Sequence, residues 1–66
     1  MENIIGNRIR ERRKALGLSQ KQLAKKVGLN YTTVSKWEMG TSEPRVFCAI
    51  CLAQFFGTTV EELFSP

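Results

Sequence analysis

Tyr31, Thr32, Ser35 and Lys36 are the side chains whose types and spacing suggest recognition chemistry. A helix over residues 31–39, at about 100° per residue, turns Val34 and Trp37 to one side. Thr32, Ser35, Lys36 and Met39 then gather on the opposite side, with Tyr31 at its edge in the first turn. That face offers an ammonium, hydroxyls and a methyl close to a helix N-terminus. Such groups recognise a partner by hydrogen bonding. Covalent chemistry has no machinery here: the chain has no His, and no Ser or Cys has a base at a usable spacing. Glu61 and Glu62 are adjacent and belong to a helix cap. The chain is not expected to be an enzyme.

Cys48 and Cys51 have a spacing that invites a metal reading. A structural zinc site needs four ligands, and the chain holds only these two Cys and no His. They lie among Phe47, Ala49, Ile50 and Leu52 and read as small apolar fillers. No metal, cofactor or small-molecule ligand is expected. The lack of disulfide architecture fits a reducing cytoplasm. No apolar run is long enough for a membrane span, and no signal peptide is visible.

The outward face must be positioned by residues 19–38, SQKQLAKKVGLNYTTVSKWE. This stretch reads as two short helices and a tight turn. Leu23, Ala24 and Val27 share one face of the first helix. Ala24 is small where two backbones need to approach. Gly28 follows the last apolar residue, where a helix end needs positive φ. Asn30 can cap the next helix. So short a link forces a steep crossing.

Gln20, Ala24, Gly28, Val34 and Trp37 stand at the spacing of a known motif, and Trp37, Glu38, Gly40 and Pro44 continue it. The pattern resembles the helix-turn-helix of the phage repressor and Cro proteins, over nearly the whole chain. The resemblance implies an all-α fold: a compact five-helix repressor-like domain over residues 1–66, with a central helix-turn-helix. The helices are expected at about residues 3–16, 20–27, 31–39, 45–56 and 60–64. It also implies a sequence-specific regulator that inserts the third helix into the major groove of double-stranded DNA. Tyr31, Thr32, Ser35 and Lys36 match the family's base-contacting positions. Gln20 matches a phosphate clamp, beside Ser19 at the N-terminus of the second helix. Thr41, Ser42 and Arg45 flank the third helix, and Arg10 reaches from the first; all four are expected at phosphates. Arg13 lies near the apolar stripe of Ile5, Ile9 and Leu16, where a guanidinium needs a carboxylate. The family pairs a base in the first helix with the Glu after the Trp, which makes Glu38 the candidate.

Charge is divided along the chain. Residues 1–45 carry all ten Lys and Arg with four of the six acids, 10 − 4 = +6, and residues 46–66 carry two acids and no base, −2. Together with the motif, this division favours nucleic acid as partner. Ser19-x-x-Gln22 and Thr59-x-x-Glu62 read as capping boxes. Val46, Ala49, Ile50, Ala53 and Phe56 fit a buried stripe on the fourth helix, and Val60, Leu63 and Phe64 pack down the fifth. Phe47, Cys48, Cys51 and Phe55 remain as a second apolar stripe, where the family usually has polar residues. One such domain reads half a site, so a homodimer on an inverted-repeat operator is expected. Phe47, Cys51, Phe55 and Phe64 are its expected interface, unless the fifth helix covers them within one chain. A small dimer on a promoter blocks polymerase, so repression is the default. A Cro-like protein and a repressor N-terminal domain, of phage or bacterial origin, stay equally open. Glu43 is acidic in a loop that is often basic in the family, which weakens the loop contact. None of Tyr31, Thr32, Ser35 and Lys36 is the long amide that would point to adenine, so the operator sequence is not read from them. The rival reading is a protein–protein adaptor or antitoxin-type module on the same fold. Gln20, Lys36 and the basic front argue against it.

Overall fold

Short helices form only where their ends are satisfied and one face is buried. In the computed structural model, which describes residues 3–65, five helices each bury one face: α1 (Ile4–Ala15), α2 (Gln20–Lys26), α3 (Tyr31–Met39), α4 (Val46–Phe56) and α5 (Val60–Phe64), and α1, α2 and α5 gain a side-chain cap at the N-terminus. No strand occurs among the described residues. The Asn3 side-chain oxygen caps α1 by accepting from the Gly6 N–H at 3.1 Å. Ser19 and Gln22 form a reciprocal capping box: the Gln22 N–H donates to the Ser19 hydroxyl at 3.1 Å, and the Ser19 N–H donates to Gln22 Oε1 at 2.8 Å.

Two caps differ from expectation. Thr59 accepts from the Glu62 N–H, but the Glu62 carboxylate accepts from the Thr58 hydroxyl at 3.4 Å, so half a box forms. Asn30 stands at the N-cap of α3 with extended backbone, yet its side chain makes no cap hydrogen bond. Asn3, Leu16, Val27 and Arg45 are capping residues outside the helices rather than their first or last turns.

The turn between α2 and α3 closes as the sequence requires. Gly28 has φ 73°, and the Leu29 N–H donates across it to the Ala24 carbonyl at 2.8 Å. This geometry frees Leu29 to pack against the core. The core itself draws on every helix: Ile9 from α1, Leu23 and Ala24 from α2, Val34 and Trp37 from α3, Leu52 and Ala53 from α4, and Leu63 from α5.

Helix α4 is rotated from its expected setting. Ala49, Leu52 and Ala53 are buried, whereas Val46 and Ile50 are 77% and 41% exposed. A helix apolar nearly all round carries no polar face to set its rotation, so packing decides. Here packing turns Leu52, beside Ala49 and Ala53, to the inside. Leu16, expected on the inner face of α1, is also exposed, as is Val60 of α5. Cys48 packs at the edge of the core, and both cysteines are free and half-buried.

Gly6 is the position that sequence reading passed over. A Cβ there meets the Trp37 backbone carbonyl and both polar atoms of the Asn3 amide. Glycine is what lets α1 lie directly against the C-terminal turn of α3. Gly6→Ala gains helix propensity of about 1 kcal/mol but forces two backbones apart. The net loss is expected to be about 2 kcal/mol, lowering the thermal midpoint by roughly 10 °C. Thermal unfolding followed by circular dichroism checks this, and an unchanged or higher midpoint would show that α1 and α3 are not in close contact.

Candidate nucleic-acid interface

The short turn and the burial of Val34 and Trp37 fix which side of α3 faces out. Tyr31, Thr32, Lys36 and Met39 are exposed, and Ser35 is half-buried beside them. Tyr31 does not stand free: the Lys21 ammonium of α2 sits 5.6 Å from its ring centroid. That cation–π contact holds the ring against α2 while leaving it 46% exposed. The Ser35 hydroxyl lies 3.7 Å from Met39 Sδ, a weak hydrogen bond one turn along. Lys21, Lys25, Lys26 and Lys36 are all exposed, so both α2 and α3 carry positive charge at the surface.

The residues expected at phosphates fall into two groups. Ser42 and Arg45 are exposed in the loop after α3, and Thr41 beside them donates its hydroxyl to the Lys36 carbonyl at 3.3 Å. Ser19 is exposed and its hydroxyl caps α2. Gln20 and Arg10, by contrast, reach inward, and both meet Glu38.

Glu38 is the one charged residue buried among those described, with 1% of its surface exposed. Arg13 donates from Nε to Glu38 Oε2 at 2.7 Å and from Nη2 to Oε1 at 2.9 Å, a two-pronged pair. Gln20 Nε2 donates to Oε1 at 3.0 Å. Arg10 Nε lies 3.5 Å from Oε1, and Arg10 Nη2 donates to the Glu38 backbone carbonyl at 2.7 Å. Asn3 Nδ2 donates to that same carbonyl at 2.8 Å. Arg13 Nη1 donates to the Leu18 carbonyl at 2.7 Å, tying in the connection before α2. No buried side-chain polar atom lacks a partner among the described residues. One carboxylate thus joins α1, α2 and α3.

The titration of Glu38 follows from this setting. Burial pushes its carboxyl up, but hydrogen bonds from Arg13 and Gln20, with the charges of Arg13 and Arg10, outweigh burial and hold it below the usual carboxylate range. The hydrogen bond to Glu38 in turn raises the Arg13 guanidinium, against the opposing effect of burial.

The apolar residues expected at a dimer interface are dispersed. Phe47 is 76% exposed. Phe55 and Phe64 are half-buried against the core, and Cys51 is half-buried. The exposed apolar face of α4 consists of Val46, Phe47 and Ile50, a consequence of its rotation. Sequence reading missed Asn3 as a partner of Glu38 and the inward bond of Gln20. An Asn at a helix start signals a cap, and nothing local signals its second bond.

Residues 9–63 match the helix-turn-helix family, and the chain belongs to that family. Its domain is of the phage-repressor type. The P22 c2 repressor bound to a synthetic operator superposes with a TM-score of 0.86 at 32% identity, covering 94% of each chain. Among regulators, the HTH-type transcriptional activator BcrR of Enterococcus faecalis is 34% identical over 88% of this chain. DicA of Escherichia coli, an HTH-type transcriptional regulator, is 52% identical over 61% of it. The chain spans only 28% and 30% of the length of those two proteins. An uncharacterised HTH-type regulator of Archaeoglobus fulgidus, 40% identical, is matched over 81% of its length. A chain of HppE, solved with FeII and substrate, shares the fold at 24% identity and a TM-score of 0.84.

Stability should therefore depend on acid through Glu38. Its folded pKa is depressed, so the unfolded chain binds the proton more tightly. The stabilisation is complete above the unfolded value and is lost as pH falls through the folded one. Urea unfolding at stepped pH is expected to show stability dropping below about pH 4.5, with a shallower drop in Glu38→Gln. Equal acid slopes in the two proteins would assign the loss to other carboxylates.

Proposed function

We propose that the chain is a DNA-binding transcription regulator that acts as a repressor. It places α3 in the major groove of an inverted-repeat operator and binds as a homodimer. The observation that carries this reading is the outward face of α3. Exposed Thr32 and Lys36 lie on the side opposite Val34 and Trp37, with Ser35 beside them and Tyr31 at the edge, near exposed lysines and on the scaffold of an operator-bound repressor. In the major groove each base pair presents its own donors, acceptors and methyls. Lys36 donates to guanine O6 and N7. Thr32 sets its methyl against a thymine methyl or uses its hydroxyl. Ser35 hydrogen-bonds a base edge, and Tyr31 uses its hydroxyl or ring edge, steadied by Lys21.

Phosphate contacts set the register and carry no sequence information of their own. Ser19 and Gln20 serve at the start of α2, where backbone N–H groups also point outward. Thr41, Ser42 and Arg45 serve on the other flank. Arg10 keeps N–H groups beyond those given to Glu38 and Asn7, and these serve phosphate from α1. BcrR, named an activator, and DicA, named a regulator, support a role in transcription regulation, and the operator complex of the P22 c2 repressor supports the repressor reading. Such a protein works in the bacterial cytoplasm, as a Cro-like or repressor-type regulator of phage or host genes. No described helix is long and apolar enough to cross a membrane.

The dimer forms through α4. Val46, Phe47 and Ile50 present a face that water solvates poorly and a second copy can cover. Phe47 leads this surface, and Cys51, Phe55 and Phe64, all half-buried, contribute at most their exposed edges.

Two substitutions test these roles. Lys36→Ala is expected to alter preference at one base position by about 1–3 kcal/mol, whereas Arg45→Ala weakens all sequences alike and lowers the salt slope by about one. Fluorescence anisotropy on a duplex panel at several salt concentrations separates them. A uniform effect of Lys36→Ala would make Lys36 a phosphate contact. Phe47→Lys is expected to weaken full-site binding at least tenfold while changing stability by no more than about 0.5 kcal/mol, because the side chain is exposed. Unchanged self-association in sedimentation would remove α4 from the interface.

A further inference from the structure

We infer that Glu38 is a positioning residue for DNA binding, because its ionised carboxylate holds Gln20 with the amide nitrogen inward and one N–H left to meet phosphate. The inference rests on the proposed DNA function and specifies how one contact of it is built.

A glutamine amide has two ends of nearly equal shape, an NH2 that donates and an oxygen that accepts. On a free surface it turns either end toward a neighbour. Phosphate accepts only, so a clamp that presents its oxygen repels the partner it should hold. Gln20 is the first residue of α2 and is half-buried. Its Nε2 donates to Glu38 Oε1 at 3.0 Å. An ionised carboxylate cannot donate, so only the nitrogen end of Gln20 satisfies it. The flipped amide would set two oxygens against each other in a buried site, where that is most adverse.

Glu38 cannot move to accommodate the flip. Both of its oxygens are bound by Arg13, its side chain is fully buried, and its carbonyl is held by Arg10 and Asn3. The rotamer and the orientation of Gln20 are thus set before any partner arrives. One N–H of Nε2 is engaged, and the other remains available on the same atom. Preorganisation of this kind removes the ordering cost that a loose surface Gln carries into binding. Neutral Gln at position 38 lacks this discrimination, because its own amide can donate to the oxygen of Gln20.

The test is a double-mutant cycle on duplex DNA with Gln20→Ala and Glu38→Gln, each protein shown folded by circular dichroism at the assay temperature. In the wild-type background Gln20→Ala is expected to weaken binding about tenfold on every sequence, the size of one hydrogen bond to a charged group. In the Glu38→Gln background the same change is expected to have less than a twofold effect. An equal loss in both backgrounds would overturn the positioning role and leave the phosphate contact standing. No duplex binding by the folded wild-type protein would instead overturn the DNA reading itself. A measurement on wild-type protein guards against loss of folding in Glu38→Gln. In NMR spectra of the free and DNA-bound protein, one Gln20 side-chain amide proton is expected to hold its shift, still bonded to Glu38, while its geminal partner moves. Movement of both protons would show that the Glu38 bond breaks on binding, and the inference would fail.

Discussion

A carboxylate without water has to be answered by donors, and the packing of this protein is organised by how Glu38 is answered. Arg13 supplies two hydrogen bonds and Gln20 a third, so burial is compensated and the charge is kept. The donors come from α1 and α2, while the acceptor comes from α3. The angle between the two motif helices and their placement on α1 are therefore fixed by directional bonds as well as by apolar contact. Breaking such a pair by removing one partner is far worse than never having had it, because a buried charge is left alone. Gly6 belongs to the same arrangement: without close approach of α1, Asn3 and Arg10 do not reach the Glu38 carbonyl.

This constraint lies directly behind the outward face. Trp37 and Glu38 are consecutive and both buried, so the far side of α3 is left to Thr32, Ser35 and Lys36 with no freedom to rotate. A surface that reads base edges needs rigidity of this kind, since a small tilt would displace every donor at once. The proposed division of labour follows. Buried charge sets geometry, exposed charge on α2 and α3 draws in a polyanion, and the base-free second part of the chain supplies apolar surface for a second copy.

Much of the fold was legible because its signals are local. Gly28 after Val27, Ser19 three residues before Gln22, and the burial of Val34 with Trp37 each depend on neighbours within one or two turns. The helix-turn-helix could be read from these positions. The rotation of α4 could not, because Val46 through Phe56 offers an apolar residue at almost every angle. Its true inner face, Ala49, Leu52 and Ala53, is set by tertiary packing that no local pattern reports. Gly6 was silent for a similar reason, since a glycine within a helix reads only as weak propensity until another backbone is seen beside it.

The site was legible in outline and opaque in its connections. The outward side of α3 follows from helical period alone. That Arg13 needs a carboxylate follows from its place on the apolar stripe, but its pairing with Glu38 came with the family resemblance. The bonds from Gln20 and Arg10 cross 18 and 28 residues of sequence. No periodicity reports contacts at that range. For the same reason Gln20 looked like a purely outward residue, when one end of its side chain is engaged inside.

Selection from random duplex DNA at near-physiological salt, followed by sequencing, tests the central claim most directly. The expected result is an enriched inverted repeat with half-site centres about one helical turn apart. That result would establish a sequence-specific dimer and supply its operator. A lone half-site would keep DNA recognition and contradict the dimer. No enrichment by protein shown to be folded would contradict sequence-specific DNA binding altogether and leave the fold serving another partner.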